Sequence, residues 1–147
     1  MLVLVQANVL TVGLNGKSEV LRELPVRLIT MQSGLEAARS LKIEKVDSVI
    51  SNWNLNDMED GQFLKKLRAV KPQIPTIVFI QAGNKAQEIA ARNLGVAAVL
   101  TDDAGDDFFR ETVANVLGIK GLVAIKAISM PQDKKGLYEA ERVGKAV

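Results

Sequence analysis

The chain has 147 residues, the length of one ordinary domain, with 48% hydrophobic and 24% charged residues, a composition that encloses a core and excludes a disordered polymer. It contains no cysteine and no histidine. Disulfides, thiolate zinc sites and cysteine nucleophiles are therefore excluded, as are serine triads, His-ligated metals and histidine phosphocarriers.

The formal net charge is +2 and the signs are interspersed, so no nucleic-acid partner is expected of this domain. Basic clusters such as Lys65-Lys66 and Lys134-Lys135 read as solvated faces. Met1–Val5 is apolar but too short for a signal segment, and no run approaches the ~20 apolar residues that span a bilayer. A cytoplasmic protein with no membrane contact is expected.

The start of the chain has two registers. One makes Leu2–Val5 the first strand and Val9–Leu24 a long helix with Leu10, Leu14, Leu21 and Leu24 on one stripe. The other makes Val9–Leu14 the strand and Ser18–Leu24 a short helix. Gly13, Asn15 and Gly16 oppose a helix there, whereas a parallel crossover wants a dozen or more residues, which the second register barely leaves.

From Pro25 onward the pattern is regular. Val26–Met31 reads as a strand. Ser33 caps a helix from Gly34 to Leu41 with Leu35, Ala38 and Leu41 on one face. Asp47–Ser51 is the next strand. The helix from Gly61 to Val70 turns Phe63, Leu64 and Leu67 inward and Lys65, Lys66 and Arg68 outward. Pro72 and Pro75 bracket a turn before Thr76–Ile80, an apolar run expected of a strand covered on both faces. A helix from Lys85 to Leu94 stops at Gly95, and Ala97–Thr101 is a strand. Asp103 or Asp106 caps a last helix that runs to about Leu117 and is stopped by Gly118.

Beyond it, Leu122–Ile128 reads as an added strand and Leu137–Val143 as a short helix, or 119–147 is an extension or linker after a domain over 1–118. The sum is an α/β chain with a doubly wound, five-stranded parallel sheet, whose function belongs at the carboxyl ends of the strands.

The stretch Val49-Ile-Ser-Asn-Trp-Asn-Leu-Asn-Asp-Met-Glu-Asp-Gly61, with Gln62–Arg68 after it, resembles the third strand, loop and helix of response-regulator receiver domains of bacterial two-component signalling. Pro75–Gly83 and Ala90–Leu100 continue the resemblance, which covers roughly Leu2 to Leu117 and implies the flavodoxin-like, CheY-like (βα)5 fold. Receivers accept a phosphoryl group on an aspartate with help from magnesium. The resemblance places Asn52 at the acceptor position. A carboxamide is nearly isosteric with aspartate but is no comparable nucleophile and brings no charge to a metal.

The acidic pair after the first strand is replaced by Gln6, Ala7 and Asn8 in one register, or by Gly13 and Leu14 in the other. The hydroxyl residue becomes Ile80 or Gln81, the lysine becomes Asp102, the loop proline becomes Asn56 and the aromatic switch residue becomes Val99. The resemblance thus implies a pseudo-receiver: a non-enzymatic module without cofactor or metal, acting on protein partners of a signalling pathway and open to homodimerisation. A small-molecule sensor, binding a nucleotide or metabolite at the strand ends, is the alternative. The partner face implied by the family carries Lys85, Gln87, Glu88, Arg92, Val99, Phe108, Phe109 and Arg110, with one phenylalanine of the adjacent pair in the core.

Three further signals read as structure. Gly13-Leu-Asn-Gly-Lys-Ser18 lacks the first P-loop glycine, because Thr11 stands in its place, and Lys17 is expected in solvent. Asp102, Asp103, Asp106 and Asp107, facing Asp57, Glu59 and Asp60, make a divalent cation conceivable, but helix capping is the simpler role. Trp53 is expected to pack its loop. If Val9–Leu14 is the strand, Lys17 is also the nearest cation for an ion pair with Asp102.

Overall fold

The computed structural model describes residues 6–119. Strands β1 (Ala7–Val12), β2 (Val26–Met31), β3 (Ser48–Asn52), β4 (Thr76–Ile80) and β5 (Ala98–Thr101) form one sheet. Its order is β2-β1-β3-β4-β5 with every pair parallel. This is the doubly wound, flavodoxin-like arrangement. A 3-10 helix (Asn15–Glu23) follows β1, and α1 (Gly34–Ile43), α2 (Gln62–Val70), α3 (Lys85–Asn93) and α4 (Asp106–Leu117) complete the crossovers.

Pleating sends alternate residues to two cores. Leu10, Val12, Val49, Val78 and Ile80 pack under Ala37 of α1, Phe63, Leu64 and Leu67 of α2 and Ala91 of α3. Val9, Ile50, Ile77, Phe79 and Leu100 pack on the other face against Leu21 and Leu24 and against Phe109, Val113 and Ala114 of α4. Thr76–Ile80 is buried along its whole length, as a strand covered on both faces must be. Gly95 and Gly118 adopt φ of +80° and +74° just past α3 and α4, the left-handed exits that glycine supplies.

The second register of the first strand holds. Ala7–Val12 pairs with Val26–Met31 on one side, and Val9–Val12 pairs with Ser48–Ser51 on the other. Those ladders leave no room for a helix beginning at Val9. The other register's strand, Leu2–Val5, lies outside the described residues. The segment after β1 is wound as a 3-10 helix. Ser18, Leu21 and Leu24 are buried, a spacing of three that matches the 3.0 residues per turn of this helix.

Three smaller expectations are corrected. Helix α1 buries Gly34, Ala37 and Ser40, and Leu41 packs partly buried against the core as expected, but Leu35 is 52% exposed; Met58 packs on Gly34. Arg68 does not point into solvent but bonds the carbonyls of Leu94, Pro72 and Ile74 at 3.1, 2.7 and 3.4 Å. Neither Asp103 nor Asp106 caps α4: Gly105 holds the N-cap position without a side-chain bond, and Asp103 accepts from Thr101 Oγ1 instead. Asp106 and Asp107 lie in the first turn, where they complement the helix dipole. The expected extension, including Leu122–Ile128 and Leu137–Val143, lies from residue 120 onward outside the described residues.

Candidate functional site

The chain leaves β1 toward one face of the sheet and β3 toward the other, which opens a crevice between their carboxyl ends. Asn52, the last residue of β3, stands in it. Its side-chain Nδ2 donates to the carbonyl of Gly13 at 2.6 Å. Gly13 has φ +69°, and a Cβ there would come within 2.8 Å of Leu55 Cδ2, so backbone sterics and the approach of the β3–α2 loop both require glycine. Asn52 is thus satisfied by a loop carbonyl, and its side chain donates.

The residues at the end of β1 are therefore Val12, Gly13 and Leu14. Gln6 and Ala7 lie at the opposite end of the strand, beside Asn8, whose backbone N–H donates to Asp47 Oδ2 at 2.7 Å. They play no part in the crevice.

The loop from Trp53 to Gly61 closes on itself. Trp53 is 2% exposed, and its ring covers Gly61 so tightly that a Cβ there would meet Cη2 at 2.4 Å. The Gly61 N–H donates to the Trp53 carbonyl at 2.9 Å, and the Asp60 N–H donates to Asn54 Oδ1 at 2.6 Å. Loop packing is the role of this tryptophan.

Asp57 does not turn toward the acids of the β5–α4 loop. Its two carboxylate oxygens accept the Gly34 and Leu35 N–H groups at 2.9 and 3.0 Å. Those two bonds to the charged form hold the Asp57 carboxyl below its ordinary value. The loop is thus stapled to the N-terminus of α1. Among the described residues, no three acidic side chains gather where they could hold a metal ion.

On the other side of the crevice, Ile80 ends β4 and is buried, leaving Gln81 as the first loop residue. The Gln81 N–H donates to Gln87 Oε1 at 2.9 Å, and the Ala82 N–H donates to Asp102 Oδ1 at 3.1 Å. The expected pair of Lys17 with Asp102 does not form. Asp102 accepts from the loop amide, and Lys17 Nζ sits 4.4 Å from the centroid of the Phe79 ring, a cation–π contact that also removes Lys17 from open solvent. Phe79 in turn meets Phe109 edge to face, with centroids 5.0 Å apart.

Lys17, Asn52, Trp53, Asn54, Gln81, Gln87 and Asp102 line an open cleft of about 390 Å³. A magnesium ion at the strand ends needs carboxylate oxygens. The oxygens there are the Gly13 carbonyl, already accepting from Asn52, the neutral Asn52 amide and a single carboxylate, Asp102, which accepts the Ala82 N–H. The residues present do not fit the ion. A second depression, about 360 Å³, lies at the amino ends of β3 and β4 among Leu41, Val46, Lys71, Ile74 and Pro75, away from these groups.

Of the residues expected on the partner face, Lys85, Glu88 and Arg92 lie on α3 and Val99 on β5. Phe109 is 1% exposed and Phe108 is 59% exposed, so one phenylalanine of the pair enters the core. Arg110 belongs elsewhere. Its Nη1 reaches the Val20 carbonyl and Glu23 Oε2, both at 3.4 Å, on the 3-10 helix. Adjacent helix positions point about 100° apart, so Phe108 lies on the other flank of α4 from Arg110, away from the 3-10 helix.

The side-chain-to-backbone bonds of Asp57, Gln87 and Asp102 were not anticipated. Only the Asn84-x-x-Gln87 spacing carried a signal: Asn84 Oδ1 accepts the Gln87 N–H at 3.0 Å, as an N-cap does.

No family model matches the chain. It is 31% identical over 90 residues to the transcriptional regulatory protein GlrR of Escherichia coli (strain K12), covering 61% of this chain and 20% of that protein. The chain thus spans about a fifth of the length of that relative. It is also 31% identical over 94 residues to the chemotaxis protein CheY homolog of Campylobacter jejuni, covering 62% of this chain and 72% of that one.

Among solved structures, the signal receiver domain of an HD domain-containing protein from Pseudomonas fluorescens Pf-5 superposes with a TM-score of 0.70 at 19% identity, over 80% of this chain and 99% of that one. A CheY-like response regulator receiver domain from Methanospirillum hungatei gives 0.70 at 15% identity, over 81% and 99%. A parallel sheet of order 2-1-3-4-5 with its site at the β1–β3 mouth defines the class. The chain belongs to the CheY-like receiver family of response regulators, the signalling modules of two-component systems. No helix among the described residues is long and apolar enough to cross a membrane.

Proposed function

We propose that this receiver is a pseudo-receiver: it takes no phosphoryl group and acts by constitutive docking to protein partners in two-component-type signalling. The observation that carries the reading is Asn52 at the end of β3, with its amide donating to Gly13. Phosphoryl acceptance requires an anionic oxygen at that place and carboxylates to hold the metal; the end of β3 offers a carboxamide bonded to a backbone carbonyl, and the one carboxylate of the cleft, Asp102, is taken by the Ala82 N–H. No catalysis is assigned to the domain, and its interspersed charge argues against nucleic acid as its partner.

The docking face runs over α3, β5 and α4. Lys85, Glu88, Arg92, Val99 and Phe108 contribute to it; Phe109 anchors α4 from beneath, and Arg110 is excluded by its bonds to the 3-10 helix. An exposed phenylalanine, Phe108, and an exposed arginine, Arg92, are residue types that interfaces favour, and a second copy of the chain is one candidate partner.

The test is incubation with acetyl phosphate and magnesium, followed by intact mass. An unchanged mass is expected, and a hydroxylamine-labile phosphoryl adduct would overturn the reading. The cleft beside Asn52 favours one second reading, a sensor of a small polar metabolite. It predicts a ligand-dependent rise in melting temperature across a metabolite panel that Asn52→Ala or Asp102→Ala abolishes.

A further inference from the structure

We infer that Asp102 and Gln87 are positioning residues that pin the β4–α3 loop, so that the α3–β5–α4 face is held in one state from within the domain. The inference rests on the docking reading above and concerns how that face is regulated.

The loop spans Gln81 to Asn84, and side chains from both of its flanks close on it. From α3, Gln87 Oε1 accepts the Gln81 N–H at 2.9 Å. From the end of β5, Asp102 Oδ1 accepts the Ala82 N–H at 3.1 Å. Two backbone bonds frame these contacts, from the Asp102 N–H to the Ile80 carbonyl at 2.9 Å and from the Asn84 N–H to the Gln81 carbonyl at 3.1 Å. Gln87 is itself fixed at its own backbone, because its N–H bonds the Asn84 cap at 3.0 Å. The loop is therefore tied to α3 and to the end of β5, two of the three elements of the docking face.

The chemistry of position 102 makes the device specific. A lysine ammonium has three donors and no acceptor, so it has nothing to offer a backbone N–H and is free to reach an anion in the crevice. A carboxylate is acceptor only, and it takes the loop amide. The same reversal puts an acceptor where the resemblance implies a cation, and that acceptor is spent on the loop amide. A face shifts only when a ligand favours one of two states; here the second state must first break both side-chain bonds.

The test is amide hydrogen exchange by NMR on the full chain, with D102A, D102N, Q87A and the D102A/Q87A double variant. In the native protein the Gln81 and Ala82 amides are expected to be protected. D102A should speed exchange at Ala82 and Q87A at Gln81, each by roughly three- to tenfold. D102N, whose Oδ1 still accepts, should keep most of the protection, a result that a purely electrostatic role of Asp102 would not give. The double variant should broaden the resonances of Ile89, Val99 and Phe108.

Unprotected loop amides in the native chain, or unchanged rates in both single variants, would overturn the inference. Circular dichroism of each variant separates a released loop from an unfolded chain. A phosphoryl adduct on native protein with protected loop amides would instead sink the docking reading and leave the pins standing.

Discussion

The carboxamide of Asn52 and the carbonyl of Gly13 are joined directly, at 2.6 Å, across the crevice between β3 and β1. A bond of this kind needs a donor on residue 52. Aspartate at neutral pH has none, and its oxygen would face the carbonyl oxygen at the same short range. Asn52→Asp is therefore expected to lower stability by about 1–3 kcal/mol at pH 7 and to gain no phosphoryl acceptance, since Val12, Gly13 and Leu14 supply no carboxylate. The carbonyl disfavours the charged form, so the new carboxyl titrates above its unfolded value. The deficit is full above the folded pKa and shrinks as pH falls through it. Urea unfolding at pH 7 and near pH 4 checks this; equal stability of the two proteins at pH 7 would refute it.

Asp57 has the opposite sign. The Gly34 and Leu35 N–H groups hold its carboxyl below the ordinary value of 3.8. A depressed carboxyl contributes stability that is present above the unfolded pKa and is lost as pH falls through the folded one. Asp57→Ala should therefore unfold at lower urea than the native chain from neutral pH down to about pH 5, and the two midpoints should converge in stronger acid. A gap independent of pH would mean that the carboxylate does not hold the loop to α1.

Gly61 and Gly83 separate packing from backbone conformation. Both have positive φ, +70° and +82°; a Cβ on Gly61 would strike the Trp53 ring, whereas nothing lies within 4 Å at Gly83. Gly83→Ala should cost about 1–2 kcal/mol, the left-handed penalty alone. Gly61→Ala adds overpacking and should cost about 2–4 kcal/mol. Denaturant unfolding orders the pair, and equal losses would show that the ring yields.

Phe108 is exposed on one flank of α4, and Arg110 is bonded to the 3-10 helix on the other; the proposed docking face includes only the first. Phe108→Glu and Arg92→Glu are expected to weaken partner capture or self-association in sedimentation, with little loss of stability. Arg110→Glu should leave association intact and cost up to about 1 kcal/mol, the range of a half-exposed ion pair. Loss of association with Arg110→Glu alone would move the interface to the 3-10 helix side.

The fold was legible wherever composition and chain-breakers agreed. Thr76–Ile80 announced a doubly covered strand, and Gly95 and Gly118 marked helix ends. On α1, Leu41 of the apolar stripe packs against the core, but Leu35 does not, because the position facing inward at that end is Gly34, whose neighbour Met58 comes from a loop 24 residues away in sequence. At the site, the identities of residues 52, 80 and 102 could be read, and so could the missing carboxylates. What they do in place of that chemistry could not, because Asn52, Asp57, Gln87 and Asp102 all bond to backbone groups. Any residue supplies a backbone N–H or carbonyl, so such partners leave no mark in the sequence.

The 3-10 winding of Asn15–Glu23 has a consequence for reach. The segment has nine residues and must carry the chain back along the sheet from the end of β1 to the start of β2. Wound as an α-helix at about 1.5 Å per residue it would cover about 13–14 Å. At about 2.0 Å per residue the 3-10 form covers about 18 Å, close to the roughly 20 Å length of the six-residue strand it must retrace. A tighter coil thus serves as a longer strut, and the poor α-formers Asn15, Gly16 and Ser18 keep it extended. The shortness that counted against this crossover in the sequence is resolved by pitch, without an added residue.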